Sequence, residues 1–279
     1  MQIERFSEKQ IQILKYLGIF KFLTYSQMIR LDIDQHKSNL SSTIKGLATG
    51  REQFVRKIPH QPGSETKFYL TPKGKKVLVE LLEFEEEKIS IPKGIITTDT
   101  QDQKHRTTII SLQIELYLTC QINALDLLLC DRYFDKVGNN RINKNLKSKT
   151  AFIYEGNRSV KADMVFMLQT NRQKELYILE LENGKDTKKA IQKCINHGKA
   201  ILLGSANEKY EFMSGYRTLW VFEHESIMLS TINALDMEPF FEHMKEYFLF
   251  TALDKKMESS FFDDWVNISK KERQLFYVK

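Results

Sequence analysis

Two apolar runs, Val160 to Leu168 and Glu175 to Glu182, carry the acids whose spacing points to chemistry. The short polar connection between them, Gln169 to Lys174, predicts a β-hairpin. With the turn centred between Asn171 and Arg172, Met167 faces Leu176, Val165 faces Ile178, Asp163 faces Glu180 and Lys161 faces Glu182 on one face. On the other, Phe166, Met164 and Ala162 face Tyr177, Leu179 and Leu181. Both faces are apolar toward the turn, so the hairpin is expected inside a sheet covered on two sides. Asp163, Glu180 and Glu182 then gather at one end of one face. Facing carboxylates in a partly buried sheet repel, and are costly to desolvate unless a cation joins them. A hard divalent ion, Mg²⁺ or Mn²⁺, held by these three oxygen donors is one such cation. Pairing of the acids with Lys161 and Lys185 where the hairpin emerges into water is the other reading, and spacing alone leaves both open.

The elements that must position this hairpin follow from periodicity. A helix over His105 to Cys120 buries Ile109, Ile110, Leu112, Ile114 and Leu116, and a strand-like run, Leu127 to Phe134, comes next. The polar stretch from Lys136 to Lys149 reads as a loop or insertion. After the hairpin come a helix, Thr187 to Leu202, and a strand, Arg217 to Phe222. Lys185, Lys189 and Lys193 form a basic stripe opposite Ala190, Ile191, Cys194 and Ile195, suited to a DNA backbone or to a solvated face.

Charge separates the chain into parts. Residues 1–79 hold 14 Lys and Arg against 6 Asp and Glu, a net of +8; the whole chain sums to +6, so the remainder is −2. The basic excess therefore belongs to the N-terminal segment. There, Ser7 is a good N-cap for a helix with Ile11, Ile13, Leu14 and Leu17. Thr24 and Ser26 start a second helix, and Asp34 is expected to cap a third that buries Leu40, Ile44 and Leu47. Two strand-like runs, Phe54 to Ile58 and Lys67 to Leu70, follow, and Pro72 starts one more helix. Three helices and a basic hairpin are the order of a winged helix. Read so, the third helix enters a DNA major groove with Gln35, Lys37, Ser38, Ser42 and Lys45, while Arg56, Lys57 and Lys67 on the hairpin contact phosphates. Double-stranded DNA is the expected partner, with a protein-interaction role as the alternative.

The order helix, strand, strand, strand, helix, strand resembles the αβββαβ core of the PD-(D/E)xK nuclease superfamily. Its metal-binding Asp opens the second core strand and its acid-x-lysine closes the third. Asp163 and Glu180 fall on those positions, and Glu182 stands where the pattern has lysine, so the resemblance leaves Lys185, Lys188 or Lys161 to supply the ammonium. The superfamily's acid on the first core helix would be Glu115. A winged helix joined to such a core is similar to the replication-relaxation family of plasmids and mobile elements, which includes the MOB-C relaxases. The resemblance covers about residues 5–250. It implies an α+β fold and Mg²⁺- or Mn²⁺-dependent nicking of one DNA strand at a plasmid or transfer origin, alongside other mobilisation or replication proteins. A non-catalytic plasmid replication initiator or accessory protein is the alternative, as is a covalent tyrosine mechanism. The six histidines are scattered, which argues against a histidine-held metal.

The expected division is a DNA-binding domain over 1–90, a linker over 91–104, the nuclease-like domain over 105–250 and a tail over 251–279 without an assigned role. No apolar run reaches the length of a membrane span, so a cytoplasmic protein is expected. Cys120, Cys130 and Cys194 lack metal-site spacing and read as reduced core residues.

Overall fold

Side-chain caps set where the first helices begin. In a computed structural model, which describes residues 6–49, 52–58, 65–86, 89, 91–92, 102–137, 147–170, 173–258 and 260–275, Ser7 and Gln10 close a capping box at the start of α1 (Glu8–Phe20). Thr24 and Gln27 do the same for α2 (Tyr25–Arg30). The third helix, α3 (Lys37–Ala48), buries Leu40, Ile44 and Leu47 as its spacing predicts. Its N-cap is His36, without a side-chain bond, where Asp34 was expected. Asp34 instead accepts the His36 N–H at 2.8 Å and pairs with Lys9, which leaves Gln35 in the turn ahead of the helix, bonded to Asp32. Strands β1 (Val55–Ile58) and β2 (Lys67–Leu70) pair antiparallel, and Leu23 bridges to Phe68. Thr71 caps α4 (Pro72–Leu82), whose Pro72 fits the first turn. Gly74 is required there, because a Cβ would lie 2.3 Å from the Phe54 carbonyl oxygen.

Lys67 departs from the expected DNA face. It is 3% exposed and its Nζ donates to Gln103 Oε1 at 3.0 Å. Burial, then the charge of Arg106, pulls its pKa below the ordinary lysine value.

The chain divides into two units, Met1–Ile114 and Glu115–Lys279. The division falls inside α5 (Gln103–Ile122), not ahead of residue 105. The reason is the first half of that helix: Gln27 Nε2 donates to Thr107 O and Ser111 Oγ, both at 3.0 Å, and Arg106 lies over the Phe22 ring. Most of 91–104 lies outside the described residues.

The C-terminal unit is α+β, built on a mixed sheet. Its described strands are β3 (Asp126–Arg132), β8 (Met164–Gln169), β9 (Lys174–Glu182), β10 (Arg217–Phe222), β11 (Phe248–Ala252), β12 (Trp265–Asn267) and β13 (Glu272–Arg273). They lie in the order β13-β12-β11-β10-β9-β8-β3. The strands β9, β10 and β11 are parallel, and the flanking pairs are antiparallel. The hairpin register is the expected one, with Val165 opposite Ile178 and Met167 opposite Leu176. The expected first strand, however, breaks at Ala162–Asp163. There the Ala162 N–H donates to Thr150 O and Thr150 Oγ1 donates to Ala162 O. Residues before the break form β7 (Arg158–Lys161), paired with β6 (Ala151–Glu155), so Lys161 faces Ala151 and not Glu182. Two short strands, β4 (Lys136–Val137) and β5 (Lys147–Ser148), pair within the stretch expected to be loop.

Helix α6 (Thr187–Leu202) covers one face with Ala190 and Cys194, over Trp220, Phe222, Phe248 and Phe250. It is joined by α8 (Glu225–Asp236), and α7 (Ser205–Lys209) lies between them in sequence. The region expected to be a tail finishes the sheet: after α9 (Leu253–Glu258), Phe261 and Trp265 are fully buried, and Trp265 Nε1 donates to Phe261 O at 2.8 Å. No described helix is long and apolar enough to cross a membrane.

Lys256 ties this last segment down. Fully buried, it donates to the carbonyls of Ser260 and Asp263 and lies 5.0 Å over the Trp265 ring. Burial lowers its pKa to about 8 against 10.5 in the open chain, despite Asp264 and Asp263. Between those pH values the unfolded chain binds a proton that the folded chain has lost, so stability rises with pH across that window and the cost of burying the charge is complete below it. Denaturation from pH 7 to 10 should show the protein gaining about 2–3 kcal/mol relative to Lys256→Met; parallel pH profiles would refute this.

Candidate functional site

The end of β9 and the start of α6 are fixed by backbone bonds. The Glu223 N–H donates to Glu182 O, and Asp186 caps α6 by accepting the N–H groups of Lys188 and Lys189. From that start, positions 190, 193, 194 and 197 fall on one helical stripe. Two of them, Ala190 and Cys194, are small and apolar and let the helix lie close to the sheet. The other two are Lys193 and His197, and both meet Glu180.

Glu180 is 0% exposed. Its Oε1 lies 2.5 Å from His197 Nε2 and its Oε2 lies 2.6 Å from Lys193 Nζ. The lysine contact is an ion pair without an aligned hydrogen bond, and His197 Nδ1 has no hydrogen-bond partner. Trp220, directly across from Glu180 on β10, completes the enclosure. Its ring meets His197 edge-on at 5.5 Å and lies 5.8 Å from Lys193 Nζ. Burial works against the charge on Lys193, but the carboxylates of Glu180, Asp163 and Glu182 outweigh it and hold its pKa above the ordinary lysine value.

Asp163 sits at the strand break, where its backbone N–H donates to Leu179 O and its carbonyl accepts the Tyr133 N–H. Its Oδ2 accepts the Leu181 N–H at 2.9 Å, so the side chain substitutes for the ladder partner that the break removed. Glu182, half-buried, turns its Oε1 onto the Gly184 N–H at 2.9 Å. Three carboxylates thus act on the Lys193 ammonium. Among the described residues, no three His, Cys, Asp or Glu side chains close around one point.

Asp163, Glu180 and Glu182 all act on the Lys193 ammonium, although Asp163 sits at the strand break, beyond the ladder that ends with Met164 opposite Leu179. Lys185 and Lys188, expected to supply the ammonium, are exposed at the start of α6. Lys161 is exposed too, with its Nζ 5.2 Å over the Tyr133 ring. Glu115 is buried on α5. The residues that sequence reasoning missed are Lys193 and His197. Their signal was present: charged and polar residues at the i+3 and i+7 positions of a stripe otherwise made of Ala190 and Cys194. Lys193, the last residue of the expected basic stripe, points inward to Glu180.

In the N-terminal unit, Lys37, Ser38, Ser42 and Lys45 are exposed on α3, and Arg56 and Lys57 on β1. Gln35 is exposed in the preceding turn. Of the cysteines, Cys120 and Cys194 are buried and Cys130 partly so, all three as free thiols. Burial pushes Cys120 up to about 12. A cavity of about 510 Å³ lies at the opposite end of the sheet strands, lined by Arg217, Glu246, Asp263 and Arg273 among others. Arg273 and Glu246 satisfy each other there at 2.8 Å. No family model, curated protein or solved structure matches the chain.

A fully buried carboxylate that loses its cation is left uncompensated, at a cost of about 3 kcal/mol or more. Lys193→Met should destabilise the protein by about 2–3 kcal/mol, discounted because the lysine is partly exposed. Adding Glu180→Gln should recover much of that loss. Urea unfolding of the two single variants and the double variant measures it, and additive single effects would show that the pair is not coupled.

Proposed function

We propose that the chain is a DNA-binding, metal-dependent nickase. In this reading unit 1 is a winged helix and unit 2 a PD-(D/E)xK-like nuclease core, acting on one strand at a plasmid or mobile-element origin. The observation that carries it is the grouping of Asp163, Glu180 and Glu182 about the Lys193 ammonium. Hard oxygen donors and a buried Glu180 Oε2 without an aligned donor suit Mg²⁺ or Mn²⁺. Asp163 and Glu180 would hold the ion and Glu182 would add charge; when bound, it supplies Lewis-acid activation of water and of the phosphodiester. His197 holds Glu180 Oε1 and so fixes which oxygen faces the group. Lys193 offers the positive charge that the acid-x-lysine pattern lacks here, close enough to steady a developing phosphate charge. In unit 1, the exposed polar face of α3 suits the major groove, and Arg56 and Lys57 suit backbone phosphates. A cytoplasmic setting and other mobilisation or replication proteins as partners belong to the same proposal.

One observation favours a second reading, a non-catalytic initiator or accessory protein that binds DNA without cutting it. Lys193 and His197 already occupy both oxygens of Glu180, and no three metal-ligating side chains converge among the described residues.

The deciding experiment is conversion of supercoiled to open-circle plasmid carrying the element's own origin, with and without divalent metal. Nicking with Mg²⁺ or Mn²⁺ is expected. Asp163→Asn and Glu180→Gln should each lower it by at least about 100-fold, with duplex binding retained. Supercoils that survive every metal, with protein demonstrably bound, would establish the second reading. A protein-linked DNA end would replace hydrolysis by a tyrosine mechanism. Lys45→Ala with Arg56→Ala should weaken duplex binding and make its dependence on salt shallower.

A further inference from the structure

Of the two groups on Glu180, one is fixed and the other can leave. His197 is 1% exposed and closed in edge-on by Trp220, so its Nε2 stays at Glu180 Oε1. The Lys193 side chain is 31% exposed. Its Nζ lies 2.6 Å from Glu180 Oε2, as a charge contact without an aligned hydrogen bond. A flexible four-carbon stem lets such an ammonium swing from an apolar wall into water. That wall is the Trp220 ring, 5.8 Å from Nζ. The swing asks nothing of the backbone, because α6 is held against the sheet by fully buried Ala190 and Cys194.

The neighbouring acids keep their places when the ammonium moves. Asp163 Oδ2 is held by the Leu181 N–H and Glu182 Oε1 by the Gly184 N–H, each at 2.9 Å. A carboxylate as buried as Glu180 is costly without a cation, so Lys193 leaves it only in exchange for another. A divalent ion that prefers hard oxygen donors is drawn to the same Oε2 with twice the charge. Both cations seek one buried oxygen, and like charges that close repel, so occupancy by one opposes the other.

We infer that Lys193 is the resident cation of this site: it occupies Glu180 Oε2 until a divalent ion exchanges for it, and its ammonium then turns out to solvent. The inference rests on the metal part of the reading above but not on the chain's cutting DNA. Exchange keeps the buried acid compensated before any metal arrives, and it makes metal affinity depend on how readily Lys193 gives way. The two occupied oxygens of Glu180 are then the closed state of a metal site.

Two measurements on the full chain test the exchange. The first is Mn²⁺ affinity, read from the paramagnetic resonance of the free ion, for the parent, Lys193→Met, Lys189→Met and Glu180→Gln. Lys193→Met should bind about 10-fold more tightly than the parent, because no molecules are held in the lysine-bound state. Lys189→Met, altered at an exposed neighbour on the same helix, should match the parent. Glu180→Gln should bind too weakly to measure. The second measurement uses the parent alone, so it does not depend on how well Lys193→Met folds. Reductive methylation with and without saturating Mg²⁺, read by mass spectrometry, should label Lys193 several-fold faster with the metal, while Lys189 labels at one rate. Equal Mn²⁺ affinities of the parent and Lys193→Met, or Lys193 labelling that Mg²⁺ does not raise, would overturn the inference. No Mn²⁺ binding by either protein would overturn it together with the metal part of the nickase reading. Tighter binding by Lys193→Met and faster labelling, with an uncut plasmid, would reject the nickase and keep the exchange. Metal-dependent cutting with unchanged affinity and labelling would do the opposite.

Discussion

A carboxylate sealed from water at the centre of a sheet must be answered by partners that the fold itself supplies, and the C-terminal unit is arranged around the answer to Glu180. Both partners come from one helix, one turn apart. Helix α6 can present them only if it lies close to the strands, and its inner stripe is small for that reason. At Gly198, one turn after Cys194, an added Cβ would meet Phe240 at 2.5 Å, so the helix is closely packed there too. Trp220 then fills the space beneath Lys193 and His197. The ion pair, the helix position and the aromatic packing are one constraint expressed three times.

Much of this was legible in the sequence, for identifiable reasons. The β8–β9 register followed from alternation, since a one-residue slip would have exchanged the two faces. The caps at Ser7 and Thr24 followed from residue type. What escaped were features decided by tertiary contacts. Lys67 alternates correctly for a solvent-facing strand position, yet Gln103, far along the chain, takes its ammonium inside. Asp34 has the chemistry of an N-cap, but Lys9 and the His36 N–H claim it first. The break at Ala162 carries no glycine or proline; it arises because Thr150 satisfies the Ala162 backbone on both sides. Lys193 was misread because a lysine on a helix is normally solvated, and only the burial of Glu180 makes the inward direction favourable.

The two units solve different problems with the same inventory of charge. In the first, exposed bases are spread over the polar side of α3 and over β1, and the buried polar groups include caps, the Lys67–Gln103 contact, Lys21 and Arg106. In the second, the charge is sorted: acids inside the sheet end, lysines outside around it.

The position of β12 and β13 has a consequence for synthesis. The parallel core β9, β10 and β11 is assembled from residues 174 to 252, but its outer edge is covered by strands ending at residue 273, and the buried Phe261 and Trp265 arrive only with them. While the chain is emerging from the ribosome, β11 therefore stays an unpaired, mostly apolar edge until β12, whose last residue lies fifteen positions beyond the end of β11, has been made. That is the kind of edge that recruits other chains. The nascent protein would be most prone to aggregation late in its translation, when nearly all of its secondary structure has already formed.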